Sequence, residues 1–121
     1  MVAWVAVAGG LGALARFAVH GVVQSRATGL FPYGTVVVNI SGSLALGFLT
    51  GLVLYQGASP DARTVIGTGF LGAYTTFSSF AYENLGLLRD GAPRAAFVNA
   101  FGSVAVGLLA AAAGLGLAGL L

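Results

Sequence analysis

Apolar residues run through this chain in four long stretches, separated only by short polar connections. A helix that crosses a bilayer needs about 20 apolar residues. Four segments meet that length, roughly Val2–Val23, Gly34–Gln56, Thr64–Leu88 and Ala95–Leu120. Between them, Gln24–Tyr33, Gly57–Arg63 and Arg89–Arg94 hold most of the charge, all three prolines and several turn-forming residues. Trp4, Tyr33 and Tyr55 fall at span ends, where amphipathic rings favour the membrane interface. The pattern predicts an all-α membrane protein with four transmembrane helices in a single domain, residues 1–121. No positive side chain precedes the first apolar run, so that run reads as the first span and not as a cleavable signal.

The third stretch departs most from hydrocarbon. Gly72-Ala-Tyr-Thr-Thr-Phe-Ser-Ser-Phe80, followed by Glu83, places four serine and threonine hydroxyls, two phenylalanines and a carboxylate in one span. A transmembrane helix carries such a cluster only where it faces protein, water or a bound ion. Thr75 and Thr76 are β-branched, Ser78 and Ser79 compete for backbone hydrogen bonds, and Gly72 weakens the helix before them. These residues predict a break at mid-membrane depth. Broken membrane helices expose carbonyl and N–H groups that bind ions.

Phe77 and Phe80 are three residues apart and share a helix face. An aromatic ring is positive at its edge, so two ring edges can help hold a small anion. An isolated phenylalanine pair in a membrane more commonly just packs against lipid, and it is the flanking hydroxyls that argue otherwise. On the second span, Asn39, Ser43, Gly47 and Gly51 recur every four residues. Two roles fit Asn39: its amide can donate to a passing anion, or it can bond another helix. Asn99, Ser103 and Gly107 repeat the spacing on the fourth span, where Ser103 is either a pore donor or bonded to its own backbone.

That recurrence is part of a wider one. Comparing residue i with i+60 gives fourteen identities in 61 pairs, where this composition yields about a tenth by chance. Gly9-Gly-Leu-Gly-Ala13 and Phe17 match Gly69-Phe-Leu-Gly-Ala73 and Phe77 at five of six positions. Val38-Asn39, Gly42-Ser43, Ala45 and Gly47 match Val98-Asn99, Gly102-Ser103, Ala105 and Gly107. A duplicated two-helix hairpin accounts for the pattern. Glycine-rich packing in a chain of biased composition is the plainer alternative.

Composition narrows the function. The chain is 58% hydrophobic and 7% charged, with mean hydropathy +0.97, against about 25% charged residues in soluble domains. A net charge of +2 with no basic run excludes a nucleic-acid partner. With no cysteine, one histidine and three acids, the chain has neither a thiolate metal site nor a catalytic constellation, so it does not read as an enzyme. Arg26, Arg89 and Arg94 flank one membrane face and Arg63 the other. This bias is small enough to permit insertion in both orientations. Within the first span, Arg16 shares a face with Gly12 and His20; it can snorkel to headgroups or charge a vestibule, and Glu83 is a further vestibule or structural charge.

The residues singled out resemble the Fluc family of fluoride channels, the small CrcB-like membrane proteins. The likeness covers essentially the whole chain. It rests on Gly9-Gly-Leu-Gly-Ala-Leu-Ala-Arg16, Gly34-Thr-Val-Val-Val-Asn39 with Gly42-Ser43, Gly72–Phe80 with Glu83, and Gly102-Ser103. Tyr74 and Phe97 stand where the family commonly has other side chains. The resemblance implies an antiparallel, dual-topology homodimer in the inner (plasma) membrane, surrounded by lipid. Two pores would run along the subunit interface and pass fluoride passively outward. Phe77 and Phe80 would form the aromatic box, Asn39 would offer a hydrogen bond, and Ser78, Thr76 and Ser103 would be polar pore partners. The backbone carbonyls of Gly72 and Thr75 from each chain would hold a structural Na⁺ on the dimer axis. The principal rival is a small dual-topology, proton-coupled multidrug exporter. That rival requires a membrane-embedded acid, for which Glu83 is the sole candidate and lies near a span end.

Overall fold

A computed structural model describes residues 1–121. Helix α1 is Val2–Arg26 and α2 is Tyr33–Tyr55. The third crossing is made of two pieces, α3 over residues 60–74 and α4 over Ser78–Arg89. Helix α5, Pro93–Gly119, is the last. Helices α1, α2 and α5 are each long and apolar enough to cross a membrane. Neither α3 nor α4 spans alone: the 12 residues of α4 cover only about 18 Å at 1.5 Å per residue. The chain is thus all-helical, with four membrane-crossing segments and the third interrupted.

Local sequence sets the ends. Gly29, Gly57 and Gly91 take positive φ of 83°, 72° and 76° in the three connections, a backbone region that favours glycine. Ser59 Oγ accepts the Asp61 N–H at 3.2 Å, and Pro60 occupies the first turn, so α3 starts at a capped end. Helix α1 continues three residues beyond Val23, to Arg26.

Helix α1 packs mainly on α3, and α2 mainly on α5. Each span therefore packs on the segment that lies sixty residues away. Small residues make both contacts possible. A Cβ on Gly12 would collide with the Phe70 carbonyl, and one on Gly47 with the Ala111 carbonyl. Without a hydrophobic force between helices in lipid, such backbone-to-backbone approach is what association relies on. Two stretches, Arg63–Leu71 in α3 and Val98–Gly102 in α5, have wide i→i+5 π-turns. Only 19 of 121 residues are buried, so most large apolar side chains face outward, as lipid or a second chain requires.

Candidate functional site: the broken helix and its groove

The ladder of α3 stops where the two threonines begin. Its last bond is Thr75 N–H to Leu71 O at 3.0 Å, and the ladder resumes at Ala81 N–H to Phe77 O, 2.9 Å. Between them Thr75 is extended, with φ −80° and ψ 159°. Both threonine hydroxyls close the exposed helix ends. Thr75 Oγ1 donates to Leu71 O at 3.1 Å, and Thr76 Oγ1 accepts the Ser79 N–H at 3.1 Å. Ser78 Oγ lies 3.3 Å from Thr76 Oγ1. Hydroxyls that weaken a helix interior therefore cap its two halves here.

Asn39 of α2 holds the break open. Its Nδ2 donates to Thr76 O at 2.8 Å, and its Oδ1 accepts the Thr76 N–H at 2.8 Å. This is the pairing one strand would make with another, supplied by a single side chain. One Nδ2 hydrogen is left over, because the amide carries two. Gly42, one turn further along α2, lets the break approach: a Cβ there would meet the Thr75 side chain.

Beside the clamp lies a groove of about 280 Å³ between α2, the break and α5. It brings together Asn39, Phe77, Phe80 and Ser103, along with Ser43 and Gly107. The rings of Phe77 and Phe80 are 6.0 Å apart between centroids and inclined at 49°. Phe77 is 78% exposed, so this side of the groove is unwalled within one chain. Ser43 Oγ donates to Asn39 O at 2.8 Å, as a helix-bonded serine does. Of the sequence-predicted pore residues, Thr76 is buried at the clamp and Ser78 is exposed next to it; neither lines this groove.

Gly72 and Thr75 line a second opening, about 310 Å³, on the other flank of the break together with Asn39, Gly42 and Thr76. Neither the Gly72 nor the Thr75 carbonyl receives a backbone N–H, because the residues that would donate have left the helix. Arg16 and Glu83 line a third cavity, of about 350 Å³, with His20, Thr35, Thr76 and Ser79. There Thr35 Oγ1 donates to Glu83 Oε1 at 2.7 Å, and His20 Nε2 stands 3.8 Å from the same oxygen. Glu83 Oε2 is buried without a partner. Arg16 shares the cavity without pairing to the carboxylate.

The family described as CrcB-like protein, Camphor Resistance (CrcB), matches residues 3–115, nearly the full length and all four crossings. The chain belongs to the CrcB-like family. Among curated proteins, the fluoride-specific ion channel FluC 1 of Leifsonia xyli is 47% identical over 116 residues, spanning 96% of this chain and 85% of its own length. FluC 1 of Symbiobacterium thermophilum is 51% identical over 115 residues, 93% of each chain. The fluoride-specific ion channel FluC of Nitratidesulfovibrio vulgaris is 46% identical over 110 residues, 90% and 89% of the two chains. Family membership and three uninterrupted apolar helices make this a multi-pass protein of the inner membrane.

Within this CrcB-like chain, several polar residues take structural parts that the sequence did not signal. Thr35 is 1% exposed and holds Glu83. Ser41 Oγ lies 3.0 Å from the Tyr74 hydroxyl, so the large Tyr74 at the end of α3 is anchored to α2. Asn84 Oδ1 accepts from Asn99 Nδ2 at 3.2 Å, joining α4 to α5. A polar residue in an apolar span was the available cue for each. Which neighbour it meets depends on helix packing.

Proposed function

We propose that this chain is a fluoride-selective channel that lets F⁻ leave the cell passively. The observation that carries the reading is the groove that gathers Asn39, Phe77, Phe80 and Ser103 beside a broken helix. Its support from relatives is that proteins 46–51% identical over nearly the whole chain are named fluoride-specific ion channels. Fluoride is small and strongly hydrated, so a selective path must replace its water with donors. The second N–H of Asn39 is a free donor, and the hydroxyl of Ser103, here bonded to Asn99 Oδ1, stands across the groove, with Thr76 and Ser78 next along the break. The edges of Phe77 and Phe80 add weak positive potential without a trapping charge. Conduction needs binding weak enough to release the ion. A negative-inside potential drives an anion outward by about 2.3 kcal/mol per 100 mV, so no enzymatic step or coupled ion is needed.

The working unit in this reading is an antiparallel, dual-topology homodimer with two pores. An open-sided groove and a 78%-exposed Phe77 support it, since a second copy would wall the path. The unpaired carbonyls of Gly72 and Thr75 support it too, because lipid cannot satisfy them. They are hard oxygen donors at the C-terminal end of a half-helix, which suits Na⁺. Such a cation would neutralise the facing carbonyls of both copies and lock the broken helices together. Arg16 would supply positive potential at the cavity it shares with Glu83.

Purified protein in liposomes loaded with fluoride or chloride tests the reading. Rapid fluoride release with chloride retained is expected. Fluoride release no faster than from protein-free vesicles, or equal passage of chloride, removes it.

A further inference from the structure

In the groove between α2, the break and α5, most donors are already committed. Ser43 gives its single proton to the Asn39 carbonyl, and one Asn39 N–H goes to Thr76 O. Ser103 also gives its proton away, to Asn99 Oδ1 at 3.2 Å. With that bond in place, Ser103 presents only lone pairs to the groove, which is the wrong polarity for an anion. The two serines differ in the partner they use. The acceptor of Ser43 is a helix carbonyl, which cannot turn. The acceptor of Ser103 is a side-chain amide, which can.

Asn99 is fully buried, at 0% exposure, and its other end meets a second amide: Asn99 Nδ2 donates to Asn84 Oδ1 at 3.2 Å. A carboxamide is nearly symmetric in shape but opposite in polarity at its two ends. If both amides turn by 180°, Asn84 Nδ2 donates to Asn99 Oδ1 and Asn99 Nδ2 donates to Ser103 Oγ. The count of hydrogen bonds is the same in the two arrangements, so the cost of the exchange is small. In the turned arrangement the Ser103 hydroxyl proton is free to point into the groove, toward the space beside Phe80 and Asn39.

We propose that Asn99, backed by Asn84, is a positioning residue that sets whether Ser103 offers its proton to an anion in the groove. The pair is an amide switch behind the path and does not touch the ion. This rests on the fluoride-channel reading. A half-buried position such as Asn84 tolerates change better than Asn99, and Asn84→Asp keeps the side-chain shape. An ionised aspartate accepts but cannot donate, so it holds Asn99 Nδ2 toward residue 84 and Oδ1 toward Ser103. Asn99→Leu acts on the other half: it removes the amide and leaves Ser103 to bond its own helix, as Ser43 does.

Fluoride efflux from liposomes is measured for the wild type, Ser103→Ala, Asn84→Asp, Asn99→Leu, and each asparagine change combined with Ser103→Ala. Ser103→Ala is expected to slow release about tenfold, the size of one lost bond to a charged group. Asn84→Asp and Asn99→Leu should each slow it to a similar extent, and neither should add to the loss in the Ser103→Ala background. Wild-type release with losses that multiply in the double variants overturns the inference alone, because the asparagines would then act by charge or stability and not through Ser103. Undiminished flux in Asn84→Asp also overturns it. No fluoride release from the wild type removes the channel reading, and the inference with it.

Discussion

Asn39 and Phe80 sit in the same groove but do different work, and substitution should separate them. Both ends of the Asn39 amide are bonded to the backbone of Thr76. Asn39→Leu leaves a buried N–H and carbonyl without partners, a loss of roughly 2–5 kcal/mol for the two together. The expected result is a lower melting temperature in detergent, with flux lost as a consequence. Phe80 makes no hydrogen bond, and its ring is half-buried against the groove. Phe80→Ile keeps apolar bulk but removes the positive ring edge, so fluoride flux should fall at least tenfold while melting temperature and oligomeric state hold. Normal conduction in Phe80→Ile takes the ring out of the mechanism. An unchanged melting temperature in Asn39→Leu denies the clamp.

At the scale of helices, the glycines divide into those that carry contacts and those that do not. Gly114 of α5 faces α2 so closely that a Cβ would collide with the Leu44 carbonyl and lie 2.7 Å from the Phe48 nitrogen. Gly116, two residues on, has open space around it. Gly114→Ala should therefore push α2 and α5 apart at a cost of about 1–3 kcal/mol. Gly116→Ala should be neutral or slightly stabilising, since alanine is the better helix former. Thermal unfolding of the pair in detergent checks this, and equal melting temperatures would contradict the close contact. The sequence spacing marked Gly47 and Gly107 as a small-residue face, but it did not distinguish Gly114 from Gly116. Both look alike in a glycine-rich helix, and only the partner backbone separates them.

For the molecule as a whole, one chain leaves its polar centre unfinished. The carbonyls of Gly72 and Thr75 lack partners, and the Phe77 ring is largely uncovered. In the proposed dimer the carbonyls meet their counterparts around Na⁺, and the second copy covers the Phe77 ring. Replacing Na⁺ by a large organic cation should lower the melting temperature and raise the monomer fraction. A dimer structure should show a non-water peak within reach of these carbonyls in both copies. Indifference to Na⁺ together with an axis lacking such a peak removes the cation from the assembly.

The amino-acid sequence by itself determined the membrane class, the four crossings and the place of the break. Hydrophobic length and helix-weakening residues act locally, so they can be read along one dimension. Asn39, Phe77, Phe80 and Ser103 were marked for the same reason: polar or paired aromatic residues in hydrocarbon stand out wherever they fall. Tertiary structure decided what each polar group bonds. Asn39 was open between a donor to an anion and an interhelical bond, and packing commits most of its amide to Thr76. Ser43 and Ser103 hold equivalent places in the repeat, yet one bonds a carbonyl and the other an amide. Hydrogen bonds are short and directional, so a shift of an ångström between helices changes the partner without changing the sequence pattern. The residues from Gly72 to Phe80 announce a site; the helices packed around them determine which of their groups remain free to act.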